Sequence, residues 1–329
     1  MILIDALYIN KGGGLNLLVY LLESMISAHK DFFLLYDQRS QGRFDFVDKK
    51  EPMFASQGNR KGFYKKHRND FSTVLCFANV PPPIKLKANV YTYFHNINML
   101  TLGEGNLKSR IMMFLKRCYV FSLKNNTDFW MVQTSNTALQ LRQHLGSDSR
   151  NIIILPFFTL RHIHSYQKHG DDYVFIGDYT GSKGHDEIVD AWRLLYREGF
   201  IKKLHLTCSI TEQFLEKIRV AQEEGIPIIN HGFMPFSGVD TLYQESKALV
   251  YPSSNESLGL GIIEAIHSGC DVIASDLAFT HAICRPSGVF NPHSPRSIAN
   301  AVLDYERGNA PRSTLMIKNE IKDIINLLN

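Results

Sequence analysis

The feature that most constrains this chain is a regular alternation of short runs rich in Val, Ile, Phe and Tyr with longer stretches of helical periodicity. Strands and helices in that rhythm build βαβ units and parallel sheets. In the first half the pattern predicts strands at 1–7, 31–37, 73–77, 90–94, 129–133 and 152–155, with helices at 14–28, 107–123 and 136–145. The stretch LPFFTLRHIHSYQKHGDDY, 155–173, opens on a proline, loses periodicity and turns polar, which marks a linker. The rhythm then restarts, with strands at 173–177, 203–208, 227–230, 248–251, 271–274 and 288–290 and helices at 184–198, 211–224, 238–245 and 259–268. Two further helical segments, 295–307 and 313–328, close the chain. A chain of 329 residues exceeds what one hydrophobic core usually serves. Two doubly wound α/β domains in tandem are therefore expected, divided at 160/161, with a central cleft where strand C-terminal ends face each other.

Composition excludes several classes. The chain is 44% hydrophobic and 21% charged, ordinary for a globular protein and unlike a disordered one. The start, MILIDALYIN, carries Asp5 in place of the apolar run of a signal peptide, and no window offers 18 apolar residues, so neither secretion nor a membrane span is expected. The five cysteines are odd in number, scattered and without a CxxC pair, which suits reduced thiols in a cytoplasmic protein. The net charge of +4 hides an asymmetry: residues 1–160 hold 20 Lys and Arg against 11 Asp and Glu, and residues 161–329 hold 16 against 21.

The segment YPSSNESLGLGIIEAIHSGCDVIAS runs from a buried strand through a loop into a helix and on to another strand. A helix beginning near Gly259 directs free backbone N–H groups and a positive dipole end outward, a site for phosphate. Gly259 and Gly261 leave the backbone open to a ligand. Glu256 precedes the helix and Glu264 lies inside it, so the two carboxylates suit different parts of one extended ligand. On spacing alone, a solvated capping glutamate and a surface helix glutamate fit as well. Three other positions stand out. Gly12-Gly13-Gly14 precede a helical pattern but lack GxGxxG spacing, so a plain tight turn is the alternative. His95 ends a strand, where open α/β sheets place ligand sites, and a satisfied loop histidine is its bland reading. Lys183, in GSKGH before a helix, suits a point charge against a diphosphate or an exposed structural lysine.

These segments together resemble the retaining glycosyltransferases of the GT-B fold, family 4, whose E-x7-E signature matches Glu256 to Glu264. The likeness extends over essentially the whole chain, through MILIDALYINKGGG, VFIGDYTGSKGHDEIVDAW, IINHGF and GCDVIASD. It implies two Rossmann-like domains, 1–160 for the acceptor and 161–329 for a nucleotide-sugar, the last helix packing back on the first. It implies donor contacts at Gly13, Gly14, Lys183, Gly232, Phe233, Gly259, Leu260, Gly261 and Glu264, with Glu264 on the ribose and Glu256 on the donor sugar. By the same resemblance His95 stabilises developing charge, and core packing is the alternative for Phe233 or Met234. One departure stands out: an arginine commonly follows the strand-end glycine in the family, whereas Asp178 follows Gly177 here, leaving the site one cation short unless Arg161 or another base compensates.

The implied activity is transfer of a sugar from a nucleotide-diphosphate sugar, UDP first and GDP next, to a glycan hydroxyl, on a lipid-diphosphate-linked acceptor in bacterial surface polysaccharide synthesis. A nucleotide-sugar epimerase and a non-catalytic binding subunit are the rivals. No DxD and no metal-ligand spacing occur, so no metal or other cofactor is expected. The basic surplus concentrates in 61–68 and 107–124, where cations alternate with Met, Phe and Tyr. Either a core helix with a solvated basic rim or peripheral contact with the inner face of an anionic membrane explains it. No nucleic-acid-binding motif is present.

Overall fold

A computed structural model of the chain describes residues 1–101, 107–146, 151–159, 170–208 and 212–329. They form two compact units, Met1–Thr159 with Lys318–Asn329, and the intervening residues up to Ile317.

The first unit runs β1 (Ile2–Ala6), α1 (Gly12–Ser27), β2 (Phe32–Asp37), β3 (Lys50–Met53), α2 (Gln57–Lys66), β4 (Thr73–Cys76), β5 (Asn89–Tyr93), α3 (Leu107–Ser122), β6 (Phe129–Val132), α4 (Ser135–Leu145) and β7 (Ile152–Ile154). The strands make one parallel sheet in the order β3-β2-β1-β4-β5-β6-β7. β1 is buried along its whole length, as a central strand covered on both faces must be. Against it α1 lays Leu17, Leu18, Leu21, Leu22 and Met25, one stripe of a 3.6-residue period.

β3 and α2 do not show in the sequence pattern. β3 reads KEPM, an edge strand on which charge and proline are tolerated. α2 turns Arg60, Phe63 and Tyr64 inward. Its apolar face is interrupted by an arginine that becomes buried only because Asp5 of β1 accepts from its Nε at 2.8 Å and the carbonyls of Val80 and Pro81 accept from its two Nη atoms at 2.8 and 2.9 Å.

The second unit runs β8 (Asp172–Ile176), α5 (His185–Arg197), β9 (Leu204–Thr207), α6 (Glu212–Glu223), β10 (Ile228–Asn230), α7 (Phe236–Glu245), β11 (Ser246–Tyr251), α8 (Leu260–His267), β12 (Asp271–Ser275), α9 (Ala278–Ile283), β13 (Cys284–Arg285), β14 (Gly288–Phe290), α10 (Pro295–Glu306) and β15 (Thr314–Leu315). Its parallel sheet has the order β10-β9-β8-β11-β12-β14, and β13 pairs antiparallel with β15.

The helix expected over 313–328 is broken. The Ser313 hydroxyl accepts from the backbone N–H groups of Val272 and Ser287 at 2.8 and 3.0 Å, stitching the chain to the sheet and placing 314–315 as a strand. Only α11 (Ile321–Leu327) is helical, and its Ile321, Ile324 and Ile325 join the first unit's core beside α1. Among the described residues no helix is long and apolar enough to cross a membrane, and all five cysteines are unbridged, four of them buried and Cys118 exposed.

Candidate active site

In each unit the strand order reverses beside the first strand, between β1 and β4 and between β8 and β11, and doubly wound sheets bind ligands at the carboxyl ends of such strands. Gly13 and Gly14 follow β1, and Lys183, Glu256, Gly259, Leu260 and Gly261 follow β8 and β11, whereas His95 follows β5 and Gly232 and Phe233 follow the edge strand β10.

In the second unit, β8 and β11 each release a loop that enters a helix, and the loops are laced together. The Ser182 carbonyl accepts from Ser254 N–H at 2.7 Å. Gly184 has φ +71°, and a side chain there would begin 2.5 Å from the Pro252 carbonyl oxygen, so only glycine lets the two loops meet. The result is a compact charged cluster. Lys183 and Glu256 form an ion pair, both side chains mostly shielded. Tyr251 Oη donates to Glu256 Oε1 at 2.7 Å and accepts from Lys183 Nζ at 3.2 Å, while its ring lies 5.4 Å beneath the ammonium. Ser253 Oγ donates to the same carboxylate oxygen at 2.7 Å. Burial, then the neighbouring Glu256 charge, push the Tyr251 hydroxyl well above the usual tyrosine range, so it stays a donor.

The helix that follows begins at Leu260, after Gly259 in the left-handed region with φ +61°. Its N-cap, Gly259, has no side chain to cap it. A methyl on Gly259 would meet Ile283 at 2.9 Å, and one on Gly261 would meet the Tyr251 ring at 3.2 Å. Gly261 therefore lets α8 settle onto the tyrosine that organises the charges. Glu264 is partly buried one turn further along α8. Lys183, Glu256, Gly259, Leu260 and Gly261 are thus brought to one place, with Lys183 in direct contact with the carboxylate that the sequence assigns to another part of the ligand. Tyr251, Ser253 and Gly184 were not singled out in the sequence. The signal for the first two was their place at the end of the buried run ALVYPSS.

Asp178 is exposed, and Arg161 lies outside the described residues. His185, the first residue of α5, is buried among Phe175, Tyr179 and Phe214. Its Nε2 meets the Gly177 carbonyl at 3.1 Å, and burial pushes its pKa down to about 4. Gly232 and Phe233 follow β10 at the sheet edge. Gly232 has φ +66° and donates its N–H to the Asn230 side chain at 3.1 Å. Phe233 is 84% exposed, a free aromatic surface instead of a core side chain.

In the first unit α1 starts on Gly12-Gly13-Gly14 without a side-chain cap and without an acidic residue in its first turn. A side chain on Gly14 would begin 3.4 Å from His95 Nε2, so glycine and histidine face each other. The His95 ring packs against the stacked pair Phe77 and Tyr93, at centroid distances of 5.7 and 5.5 Å, and its Nδ1 is buried without a hydrogen-bond partner among the described residues. Burial pushes its pKa down to about 4, which makes it a neutral imidazole near neutrality. Beside it is a cavity of about 620 Å³ bounded by Tyr8, Asn79, Asn96 and the α3 residues Met112, Leu115 and Lys116. α3 buries only Val120. Its Leu107, Ile111, Phe114 and Leu115 are 73%, 51%, 48% and 57% exposed, spaced along one helical face among Lys108, Arg110 and Lys116.

Residues 170–306, nearly the whole second unit, match the family model described as Glycosyl transferases group 1. The chain is 27% identical over 149 residues to the serotype-specific mannosyltransferase WbdA of Escherichia coli, covering 43% of this chain and 18% of WbdA. It is 34% identical over 73 residues to the O-antigen chain mannosyltransferase RfbU of Salmonella typhimurium, covering 22% of this chain and 21% of RfbU. The chain thus spans only about a fifth of either relative. Among solved structures, WaaG, a glycosyltransferase involved in lipopolysaccharide biosynthesis, superposes with a TM-score of 0.70 at 14% identity over 100% of both chains. The lipopolysaccharide outer core galactosyltransferase WaaB in its apo form gives 0.67 at 14% identity, over 99% of this chain and 94% of that one. Both likenesses concern the fold. Residues 170–306 thus match the group 1 glycosyl transferases, and the chain has the GT-B fold.

Proposed function

We propose that this protein is a retaining glycosyltransferase that moves a sugar from a nucleotide-diphosphate sugar to a glycan hydroxyl in the synthesis of a bacterial surface polysaccharide. The observation that carries this reading is the cluster at the β8/β11 switch point. A lysine, a glutamate, a buried tyrosine and a helix start with glycine at its N-cap converge there, within the segment that matches the family.

In this reading the diphosphate takes Lys183 and the backbone N–H groups at Leu260 and Gly261, and the donor sugar takes Glu256. Glu264 takes the ribose, and Gly232 with the exposed Phe233 takes the base. Gly13, Gly14 and His95 serve the transferred sugar from the first unit. His95, neutral and among aromatics, acts by orientation and polarity and not as a base. The acceptor hydroxyl attacks from the leaving-group side, and a diphosphate oxygen takes its proton. The reaction then needs charge stabilisation and orientation from the protein, and no metal.

The names of WbdA and RfbU favour a mannosyl group and a glycan of the O-antigen kind. A GDP-sugar is accordingly tested beside a UDP-sugar. The exposed apolar residues and cations of α3 support peripheral docking on an anionic membrane, with a lipid-diphosphate-linked acceptor reaching the cavity beside Asn96. The test is a thermal-shift panel of UDP, GDP, ADP and CMP with and without magnesium. Stabilisation by several degrees with UDP or GDP alone supports the reading, and no response to any nucleotide sinks it.

A further inference from the structure

The left-handed backbone of Asn79 is the least ordinary conformation near either half-site. Among the described residues only His29 and Asn79 have positive φ without being glycine, at 53° and 67°. His29 lies in the turn that closes α1, where such a conformation is routine. Asn79 lies just past β4, 5% exposed, on the rim of the cavity beside His95. A non-glycine residue held in this region costs stability and persists where the surroundings determine it.

Here they do so from both sides. The Asn79 side-chain oxygen accepts two consecutive backbone N–H groups, those of His95 at 2.7 Å and Asn96 at 2.8 Å, and its own N–H donates to the Tyr93 carbonyl at 3.2 Å. The next two carbonyls, of Val80 and Pro81, are gripped by the guanidinium of Arg60. Arg60 is itself fixed by Asp5, which also accepts from Tyr64 at 2.7 Å. The grip begins in β1, passes through α2 and the loop after β4, and ends on the turn that carries His95. That matters because the histidine ring makes no hydrogen bond through Nδ1 among the described residues. Its aim at Gly14 depends on the backbone beneath it and on the adjacent Phe77 and Tyr93.

We propose that Asn79 is a positioning residue of the transfer reaction, which clamps the His95–Asn96 turn so that the imidazole faces the Gly14 turn and Asn96 faces the adjoining cavity. The proposal rests on the reading of His95 as a residue that serves transfer. Asn79 itself touches no reacting atom.

The test uses the full chain with GDP-mannose and UDP-galactose as donor probes, following release of the nucleoside diphosphate in the presence of acceptor glycan. Asn79→Gly keeps the positive φ without strain and removes the clamp. Asn79→Asp restores an acceptor for both N–H groups and tolerates the same backbone. Asn79→Gly is expected to lose about tenfold in kcat with donor KM within about twofold, and Asn79→Asp to recover most of it. In NMR titrations the His95 ring of Asn79→Gly is expected to move up from about 4 toward 6.5 as the turn loosens, while His185 stays near 4. In a His95→Ala background Asn79→Gly should cost less than about twofold more, because interacting sites are non-additive. The proposal is overturned if Asn79→Gly keeps wild-type kcat while His95→Ala loses it, or if its cost is the same with and without His95. A His95→Ala enzyme as fast as wild type overturns the underlying reading of the histidine instead, and is told apart by that result alone.

Discussion

The two units share one design, a doubly wound parallel sheet with residues of interest at the switch point, yet they fill that place with opposite chemistry. In the second unit the carboxyl ends of β8 and β11 hold a full charge of each sign, Lys183 and Glu256, bridged by a buried tyrosine hydroxyl. In the first unit the ends of β4 and β5 hold an uncharged imidazole against a stacked pair of aromatic rings, aimed by backbone hydrogen bonds. The same scaffold therefore carries an electrostatic cluster in one unit and a geometric one in the other. In the proposed function a charged leaving group uses the first and the transferred sugar the second.

The comparison can be broken at several points. The largest expected effect is at Glu256. Replacing it with alanine should lower the transfer rate by about 10²–10³, and it should leave binding of the bare nucleoside diphosphate no weaker, because Lys183 is freed from its partner. Weaker diphosphate binding in Glu256→Ala, measured by calorimetry, would make the pair a structural bridge only. Next comes Gly184→Ala, which forces a side chain into the left-handed region against Pro252. Denaturant unfolding should show a loss of about 2–3 kcal/mol, and an unchanged midpoint would remove the basis for the interlocked loops.

The units also agree in one respect, since each carries a histidine whose pKa burial holds near 4. The unfolded chain takes up a proton at His185 as pH falls through 6.5, whereas the folded one resists until about 4. The stability present above pH 6.5 is therefore lost progressively on acidification through that window. Between pH 7 and pH 5, His185 alone should account for about 2 kcal/mol of that loss, checked by comparing unfolding curves of wild type and His185→Asn. The smallest effect belongs to Tyr251→Phe, which keeps the ring under Lys183 and against Gly261. Loss of the hydroxyl's hydrogen bonds with Glu256 and Lys183 should reduce kcat/KM by about tenfold, and an unaltered value would deny the hydroxyl its bridging role.

The central strands and the glutamate motif were legible because their signals are local. The run from Asp271 to Ser275 is buried throughout, and its apolar sequence gives that away. What stayed hidden depends on partners distant in the chain. Arg60 can face inward because Asp5, 55 residues earlier, neutralises it, and no periodicity within α2 reveals that. Ser313 reads as part of a helix until its hydroxyl is seen to accept from Val272 and Ser287. Glu256 was visible by its motif, while Tyr251 and the contact with Lys183 appear only once two loops 70 residues apart have folded together. Asn79 gave no signal at all, since a positive φ is a property of the fold around it.

In the proposed function Lys183 receives the diphosphate of a nucleotide-sugar once that ligand separates it from Glu256. Calorimetric titration of UDP and GDP into wild type and Lys183→Met, without divalent cations, tests this most directly. The account predicts that the wild type binds one of the two nucleotides and that Lys183→Met binds it at least about tenfold more weakly. Equal affinity in the two proteins would contradict it.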